Sequence, residues 1–248
     1  MSNRTSRLIP TLELSGGSLI KTKNFRPFAH VGDPANSARI FNELEVDELI
    51  VVDTRRTRDR RNPPFAVIEE LASECFMPLI YGGGVDSLRV ASEVMRLGVE
   101  KIVVGSAAYE NPILIRELVD LFGSQAVVSA VDYRGVGDER LRLCSDSGRH
   151  RERVGLFDWV ETLEGLGAGE LLLTSVDRQG TWEGLDLTTI ASVTNRLGIP
   201  VVAHGGARSV AEARSVLDRG EASAVALGSV VAFQAKGKGV LVGLPEEE

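Results

Sequence analysis

Short apolar runs alternate with longer segments of helical period along the whole chain. The helical segments, such as 35–44 and 87–97, carry apolar residues every three or four positions, as a helix with one buried face does. This alternation predicts a parallel sheet covered by helices. The apolar runs predict eight strands, at residues 8–14, 48–53, 77–81, 101–104, 126–132, 170–174, 199–204 and 224–227.

Helix boundaries are marked by residues with known capping roles. Asp33 and Asn111 each precede a proline, so each is expected to cap a helix whose first residue is that proline. Gly98, Gly123 and Gly198 each follow a helical segment and are expected to end it.

The chain also contains an internal repeat. The segment 83–87 (GGVDS) precedes a predicted helix and then Gly105-Ser106, and the segment 205–209 (GGARS) precedes a predicted helix and then Gly228-Ser229. The two spacings differ by one residue, so the two halves of the chain look like copies of one unit.

These patterns predict an α/β fold, a single (β/α)8 TIM barrel with a twofold internal half-barrel repeat. Eight strands that each lead into a helix close most simply as a barrel, whereas an open doubly wound sheet usually has fewer strands. We expect one domain over 1–248, with half-barrels of about 1–123 and 124–248.

Composition narrows the function classes. With 248 residues and 43% hydrophobic residues the chain can bury a sizeable core, and its formal net charge of -7 argues against a protein that coats nucleic acid. Cys75 and Cys144 are too few for a disulfide framework, and no Cys and His spacing resembles a metal site. No signal peptide or membrane-spanning run is present, so we expect a cytoplasmic protein that does not bind membranes.

One charge cluster stands out. It precedes Pro63 and Pro64, which indicates a loop. Two interpretations stay open, a solvated surface loop or a contact with an anionic substrate or a partner. The cluster consists of Arg55, Arg56, Arg58, Arg60 and Arg61.

The repeated glycine segments predict two phosphate sites. In each half, a Gly-Gly at the end of one strand and a Gly-Ser at the end of the next strand would lie side by side at one face of the barrel. Glycine permits close backbone approach, and the following helix N-terminus offers free N–H groups to an anion. We name them the first cradle (Gly83, Gly84, Gly105, Ser106) and the second cradle (Gly205, Gly206, Gly228, Ser229), which together suit a substrate phosphorylated at both ends.

A family resemblance covers nearly the whole chain. The sequence resembles the cyclase subunit (HisF) of imidazole glycerol phosphate synthase, which uses ammonia from a glutaminase (HisH-like) subunit. The segments that carry it are 7–10 (RLIP), 32–34 (GDP), 47–49 (DEL), 82–84 (GGG), 106–108 (SAA), 122–125 (FGSQ), 166–170 (LGAGE), 177–181 (DRQGT) and 205–207 (GGA).

The resemblance implies roles for individual residues. Glu13 and Asp132 occupy the positions of the two catalytic acids, which exchange protons during ring closure. Lys21, Asp177 and Gly180 occupy substrate-binding positions. A gate for ammonia at the other barrel face is implied for four charged residues that would form a closed ring of salt bridges, Arg7, Glu48, Lys101 and Glu170. The sequence itself has no metal-ligand cluster and no dinucleotide fingerprint, so we predict no metal and no cofactor.

Several positions depart from the family pattern. Glu13 stands where the family has Asp, Gly105 where it has Asn, Gln179 where it has Asp, and His204 where it has Ser. The segments 72–79, 98–101 and 233–236 resemble a paralogous branch, the glycosyl amidation-associated (WbuZ-like) proteins of surface-polysaccharide (lipopolysaccharide) gene clusters. Members of that branch are associated with a separate ATP-dependent sugar amidotransferase that receives the ammonia.

Three functions therefore remain open. The first is an ammonia-channelling paralogue that serves sugar amidation. The second is a histidine-biosynthesis cyclase that forms imidazole glycerol phosphate and AICAR from PRFAR and ammonia. The third is a barrel without catalytic activity that activates the glutaminase. All three predict a glutaminase partner, and the first two also predict a phosphorylated small-molecule substrate.

Overall fold

Strands and helices alternate along the chain. The computed structural model describes residues 6–55, 61–135 and 141–245. Its strands are β1 (Arg7–Ser15), β2 (Ser18–Lys23), β3 (Arg26–Gly32), β4 (Leu49–Asp53), β5 (Leu79–Gly82), β6 (Lys101–Val104), β7 (Val127–Arg134), β8 (Arg142–Ser145), β9 (His150–Arg151), β10 (Glu170–Ser175), β11 (Val201–His204) and β12 (Ala224–Leu227). Its helices are α1 (Pro34–Glu43), α2 (Phe65–Glu74), α3 (Leu88–Arg96), α4 (Ser106–Glu110), α5 (Ile113–Phe122), α6 (Leu156–Gly165), α7 (Leu187–Thr194), α8 (Val210–Asp218) and α9 (Ser229–Phe233).

Eight parallel strands close into a barrel. Their order around the barrel is β1, β4, β5, β6, β7, β10, β11 and β12, and β12 pairs with β1 to close the ring. The predicted (β/α)8 barrel is therefore confirmed, and each of the eight predicted strands lies within two residues of its observed bounds.

Two antiparallel excursions were not predicted from the sequence. After β1 the chain forms the hairpin of β2 and β3, and after β7 it forms the short pair of β8 and β9. The turn between β1 and β2 contains Gly16 and Gly17, both with positive φ. Such a Gly-Gly turn between two apolar runs is a hairpin signal. Both excursions begin at the C-terminal ends of barrel strands. They lie beside the mouth, which is the open end of the barrel formed by the C-terminal ends of its strands.

Side chains along each barrel strand point alternately into the barrel interior and outward beneath the helices. Alternate residues of β1, namely Arg7, Ile9, Thr11 and Glu13, point to the barrel interior, while Leu8, Leu12 and Leu14 pack beneath the helices. Neighbouring strands repeat this alternation, as the period of two requires. The interior is consequently filled by an apolar layer of Ile9, Ile50, Ile80, Val103, Val128, Leu172, Val202, Ala224 and Ala226.

Helix ends follow the predicted capping in part. Asp33 caps α1 by accepting a hydrogen bond from the Asn36 backbone N–H. Asn111 makes no such bond, because α5 begins one residue beyond Pro112, so the predicted cap is wrong. Gly123 is the C-cap of α5, and Gly98 follows Leu97, the C-cap of α3.

The predicted stop at Gly198 is also wrong. Helix α7 already ends at Thr194, with Asn195 as its C-cap. Within the described ranges, no helix has the length and apolar character needed to cross a membrane.

The two copies of the repeat adopt matching conformations. Ser87 and Ser209 cap α3 and α8 through their hydroxyls, which accept hydrogen bonds from the backbone N–H three residues later. Gly105 and Gly228 each precede a five-residue helix, α4 and α9. Similar sequences in the two halves thus build similar strand-to-helix connections.

Candidate active site

The two cradles lie on opposite sides of the barrel mouth. The first follows β5 and β6, and the second follows β11 and β12. In the strand order, β1 and β4 lie between the two cradles on one side, and β7 and β10 lie between them on the other. With two strands on either side, the cradles face each other across the C-terminal ends of the strands, where TIM barrels carry their active sites.

The first cradle is an open cavity lined by Gly83, Gly84, Gly105 and Ser106 together with Arg61. A Cβ on Gly83 would lie 2.6 Å from the Asp53 backbone oxygen, so the close chain crossing here requires glycine. Arg61 adds a cation from the arginine cluster to this cavity. Arg56, Arg58 and Arg60 of that cluster lie outside the described residues.

The second cradle gathers the predicted Lys21, Gly180, Gly205, Gly206, Gly228 and Ser229 around one cavity. Gln179, Trp182 and His204 complete its wall. The Ser229 hydroxyl is buried and has no hydrogen-bond partner among the described residues. An ammonium group, glycine backbone and a free hydroxyl in one cavity are suited to an anion such as phosphate.

Glu13 is enclosed by hydrogen-bond donors from two other segments. Its Oε1 accepts bonds from the Lys21 ammonium and, at 2.8 Å, from Gln179 Nε2. Gln179 Nε2 also bonds Thr22 Oγ1 at 2.7 Å, and Gln179 Oε1 accepts from the Phe25 backbone N–H. Glu13 is 2% exposed and lines none of the cavities named here. The carboxylate is therefore neutralised inside the wall, not presented to the mouth.

The second Glu13 oxygen is in a different situation. Oε2 is buried and makes no hydrogen bond within the described ranges. A carboxylate with one well-bonded and one unbonded oxygen bears a desolvation cost that Lys21 offsets only in part.

Asp132 lies in the central cavity of the mouth, together with Thr11, Thr174 and His204. Burial raises the pKa of Asp132 to about 7, against a hydrogen bond from Thr174 and the charge of Arg134, which both lower it. A carboxyl group with a pKa near neutrality can both give and take a proton, as general acid and base catalysis requires.

His204 shares this cavity and also the second cradle. Burial lowers the pKa of His204 to about 4, and the Lys21 charge acts in the same direction. The His204 imidazole is therefore neutral at pH 7. Its Nδ1 lies 3.3 Å from Thr174 Oγ1.

Asp177 occupies a bracing position at the edge of the mouth. One carboxylate oxygen pairs with Arg134, and the other accepts a hydrogen bond of 3.0 Å from the Gly135 backbone N–H. Asp177 is not among the residues that line the cradles or the central cavity. It ties the end of β7 to the segment after β10.

The four charged residues at the opposite face form one closed ring. Arg7 bonds Glu48 at 2.6 Å and also bonds Glu170. Lys101 Nζ lies 2.6 Å from Glu48 Oε1 and 3.3 Å from Glu170 Oε2. Each carboxylate thus uses both oxygens and each cation bonds both carboxylates, so the ring is neutral and its charges compensate one another.

The ring is largely removed from solvent. Its side chains are between 7% and 19% exposed. Burial lowers the pKa of the Arg7 guanidinium, but the charges and hydrogen bonds of Glu170 and Glu48 outweigh this effect and raise it. The ring closes the N-terminal end of the barrel directly below the apolar interior layer.

Sequence reasoning missed two contributors to the mouth. Thr174 was not singled out, although the parallel register places it level with both Asp132 and His204. Trp182 was also missed. Its signal was weak, since it follows the 177–181 motif by one residue and lies in no strand or helix.

Comparison with known proteins identifies the family of the chain. The family model described as "Histidine biosynthesis protein" matches residues 7–236. A Pseudomonas aeruginosa protein named "Putative imidazole glycerol phosphate synthase subunit hisF2" is 40% identical over 97% of this chain and 96% of its own length. Similarly named proteins are 38% identical in Leptospira interrogans (98% and 96%) and 34% identical in Vibrio vulnificus (97% and 93%). The chain belongs to the histidine biosynthesis protein family and, within it, to the HisF-like cyclase subunits of imidazole glycerol phosphate synthase.

Proposed function

We propose that this chain receives ammonia from a glutaminase subunit at the N-terminal face of the barrel, where the charged ring lies, and presents it at the mouth. The ammonia then serves sugar amidation and not histidine synthesis. The observation that carries the proposal is a contrast between the two faces. The ring is complete, whereas Glu13 is neutralised inside the wall by Lys21 and Gln179.

The ring and the apolar interior layer above it are suited to the passage of an uncharged molecule. Cations entering the apolar interior would bear a large desolvation cost, whereas ammonia carries no charge. A neutral ring of paired charges blocks free passage of water and ions and opens only when a pair separates. A partner docked on this face is in a position to separate one.

The mouth lacks the geometry of two opposed, available carboxylates. Glu13 is longer by one methylene than the family's Asp, and its bonded oxygen faces Lys21 and Gln179. Displacing an acid by about an ångström is enough to lower a rate by about a hundredfold. Asp132 remains available, so the mouth retains one acid of the pair.

The first experiment tests the histidine-pathway reaction directly. The purified chain is assayed for conversion of PRFAR with ammonium chloride as nitrogen donor, beside Glu13→Asp and Asp132→Asn. We expect no turnover from the wild type and none from Glu13→Asp, because Gln179 still occupies the position of a family carboxylate. Turnover by the wild type that Asp132→Asn abolishes would refute the proposal and identify a histidine-pathway cyclase.

The second experiment tests ammonia transfer. The chain is combined with its glutaminase and with an ATP-dependent sugar amidotransferase, each taken from the gene neighbourhood. Amidation is then measured with glutamine or with ammonium chloride as nitrogen donor. We expect glutamine-dependent amidation to need the barrel, and ammonium-dependent amidation to proceed without it. Equal glutamine-dependent rates with and without the barrel would contradict the proposal.

A matched pair of variants locates the transfer path. Lys101→Met opens the ring, and Arg39→Met breaks an exposed ion pair with Glu74 on the outer helices. Only Lys101→Met is expected to change the ratio of ammonia delivered to glutamine hydrolysed.

The histidine-pathway cyclase is the second candidate, favoured by one observation. Both cradles and Asp132 open toward the same mouth, as a bisphosphorylated substrate requires. A barrel that only activates the glutaminase would instead stimulate glutamine hydrolysis and show no binding of inorganic phosphate by calorimetry.

A further inference from the structure

Three polar side chains form a line along one side of the mouth. Asp132 on β7, Thr174 on β10 and His204 on β11 are paired in register on three neighbouring strands. All three line the central cavity. The Thr174 side chain lies beside that of its register partner Asp132, whose pKa it lowers as a hydrogen-bond donor. The Thr174 Oγ1 lies 3.3 Å from His204 Nδ1. The hydroxyl therefore stands between a carboxyl group and an imidazole.

A single hydroxyl hydrogen links the states of its two neighbours. When Asp132 is ionised, the Thr174 O–H donates to the carboxylate, and the Thr174 oxygen can only accept from His204 Nδ1–H. When Asp132 is protonated, its own O–H donates to Thr174, which then donates to an unprotonated Nδ1. The imidazole stays neutral in both states, but its proton lies on Nδ1 in the first and on Nε2 in the second.

The other imidazole nitrogen faces the second cradle. A Cβ built on Gly228 would lie 3.7 Å from His204 Nε2 and 3.0 Å from Lys21 Nζ. Both nitrogens thus converge on the Gly228 backbone at the floor of this cradle. An anionic group bound there would meet Lys21 as a cation and His204 Nε2 as either a donor or an acceptor.

We propose that His204 and Thr174 couple the protonation of Asp132 to the second cradle through the tautomer of His204, so that a bound anion and a protonated Asp132 favour each other. This inference deepens the proposed function, since it takes the second cradle as the anion site of that mouth. His204 is a proton-transfer residue that contacts the anion, and Thr174 is a positioning residue.

Proton transfer from Asp132 through Thr174 and His204 conserves the number of protons. Starting from protonated Asp132, a basic oxygen of a phosphate group bound in the second cradle takes the Nε2 proton, Nδ1 takes the Thr174 proton, and Thr174 takes the Asp132 proton. One proton leaves Asp132 and one arrives in the cradle. Asp132 becomes a carboxylate and the imidazole ends neutral, with its proton on Nδ1.

Charged and titratable groups face this line from both sides. On the Asp132 side lie the Arg134 guanidinium, the Cys144 thiol, whose pKa burial raises to about 12, and the Tyr109 hydroxyl, whose pKa burial also raises. On the His204 side lie Lys21 and Glu13, which are bonded to each other. The variant Asp132→Asn identifies which step belongs to Asp132.

The tautomer can be observed without any substrate. The chain contains three histidines, His30, His150 and His204, so imidazole ¹⁵N signals of the intact protein are few, and His204→Gln assigns the one of interest. We expect the His204 proton to move from Nε2 to Nδ1 as the pH rises through about 7, with no formation of imidazolium.

Variants of Asp132 and Thr174 test the coupling. Thr174→Ser keeps the hydroxyl and is expected to retain the step, whereas Thr174→Val and Asp132→Asn are expected to abolish it. A His204 tautomer that is constant from pH 5 to pH 9 in the wild type would overturn the proposal. A step that survives in Thr174→Val would also overturn it.

Sulfate tests the link to the second cradle, because its charge is constant across this pH range. Saturating sulfate is expected to raise the midpoint of the step, by about one pH unit if it binds the protonated form about tenfold more tightly. Gly228→Ala places a methyl group in the second cradle and should remove the shift. Gly105→Ala does the same in the first cradle and should not. A shift lost only in Gly105→Ala would contradict the proposal.

The two proposals fail separately. A reconstituted system in which glutamine-dependent amidation does not need the barrel, while the tautomer step is present, would refute only the proposed function. Barrel-dependent amidation with no tautomer step would refute only the coupling.

Discussion

Replacing Lys101 by methionine removes one of the two cations of the ring. Methionine keeps the length and much of the apolar stem of the side chain, so the main change is the loss of charge. Glu48 and Glu170 then share a single cation, Arg7, and the ring carries a net charge of minus one at a site closed to most solvent.

The expected cost follows from the burial of the ring. Removing one partner of a fully buried ion pair costs about 3–5 kcal/mol, because the remaining charge is left uncompensated. The ring side chains are between 7% and 19% exposed, so water relieves part of this penalty and we expect about 2–3 kcal/mol. For a domain of this size, that lowers Tm by about 5–10 °C.

Two matched variants separate the charge effect from loss of packing. Arg39→Met breaks an ion pair with Glu74 on the exposed helical layer and should lower stability far less. The double variant Lys101→Met with Glu48→Gln restores a neutral ring and should recover at least half of the lost stability. The single variant Glu48→Gln completes the cycle, and the wild type and the four variants are compared by urea unfolding at pH 7. Equal losses for Lys101→Met and Arg39→Met, or strictly additive effects in the double variant, would refute the reasoning.

Four other substitutions have expected outcomes. The folded-state pKa of Asp132, about 7, lies above its unfolded value, so the contribution of this group to stability falls as the pH rises from about 4 to 7. Asp132→Asn lacks this loss, so urea unfolding should show the stability of the variant rising relative to that of the wild type over that range. The folded-state pKa of His204, about 4, lies below its unfolded value, so its contribution is present above about 6.5 and is lost on acidification toward 4. The stability deficit of His204→Gln relative to the wild type should therefore shrink as the pH falls over that range. A Cβ on Gly169 would overlap the Ser124 backbone oxygen, so calorimetry should show a large fall in Tm for Gly169→Ala. Gly165→Ala, in open space at the end of α6, should show none.

The barrel strands could be predicted because each carries its own evidence. Apolar runs between helical segments need no distant partner to be recognised, and parallel pairing follows from the connections. The hairpin of β2 and β3 is different. Its outer strand, Arg26–Gly32, is mostly exposed and lacks a continuous apolar run, so the Gly16-Gly17 turn was the main signal for it.

The same difference holds within the site. The two cradles could be predicted because Gly-Gly and Gly-Ser pairs end neighbouring strands of a parallel barrel. The enclosure of Glu13 could not, since it depends on the fold-back of β2, which pairs Glu13 with Ile20 and brings Lys21 to the carboxylate. Gln179 reaches Glu13 from 166 residues away in the sequence.

The barrel geometry explains why the two faces can change independently. On β1, Arg7 belongs to the ring and Glu13 lies in the wall near the opposite end of the strand, with Ile9 and Thr11 between them on the same inward side. A substitution at one end of a strand leaves its register and its other end in place. The ring, however, is a closed set of four ion pairs, so any single loss leaves the buried ring with an uncompensated net charge. Under the proposed function, loss of any one ring residue would disturb ammonia transfer, whereas a residue such as His204 at the mouth can change without disturbing the ring.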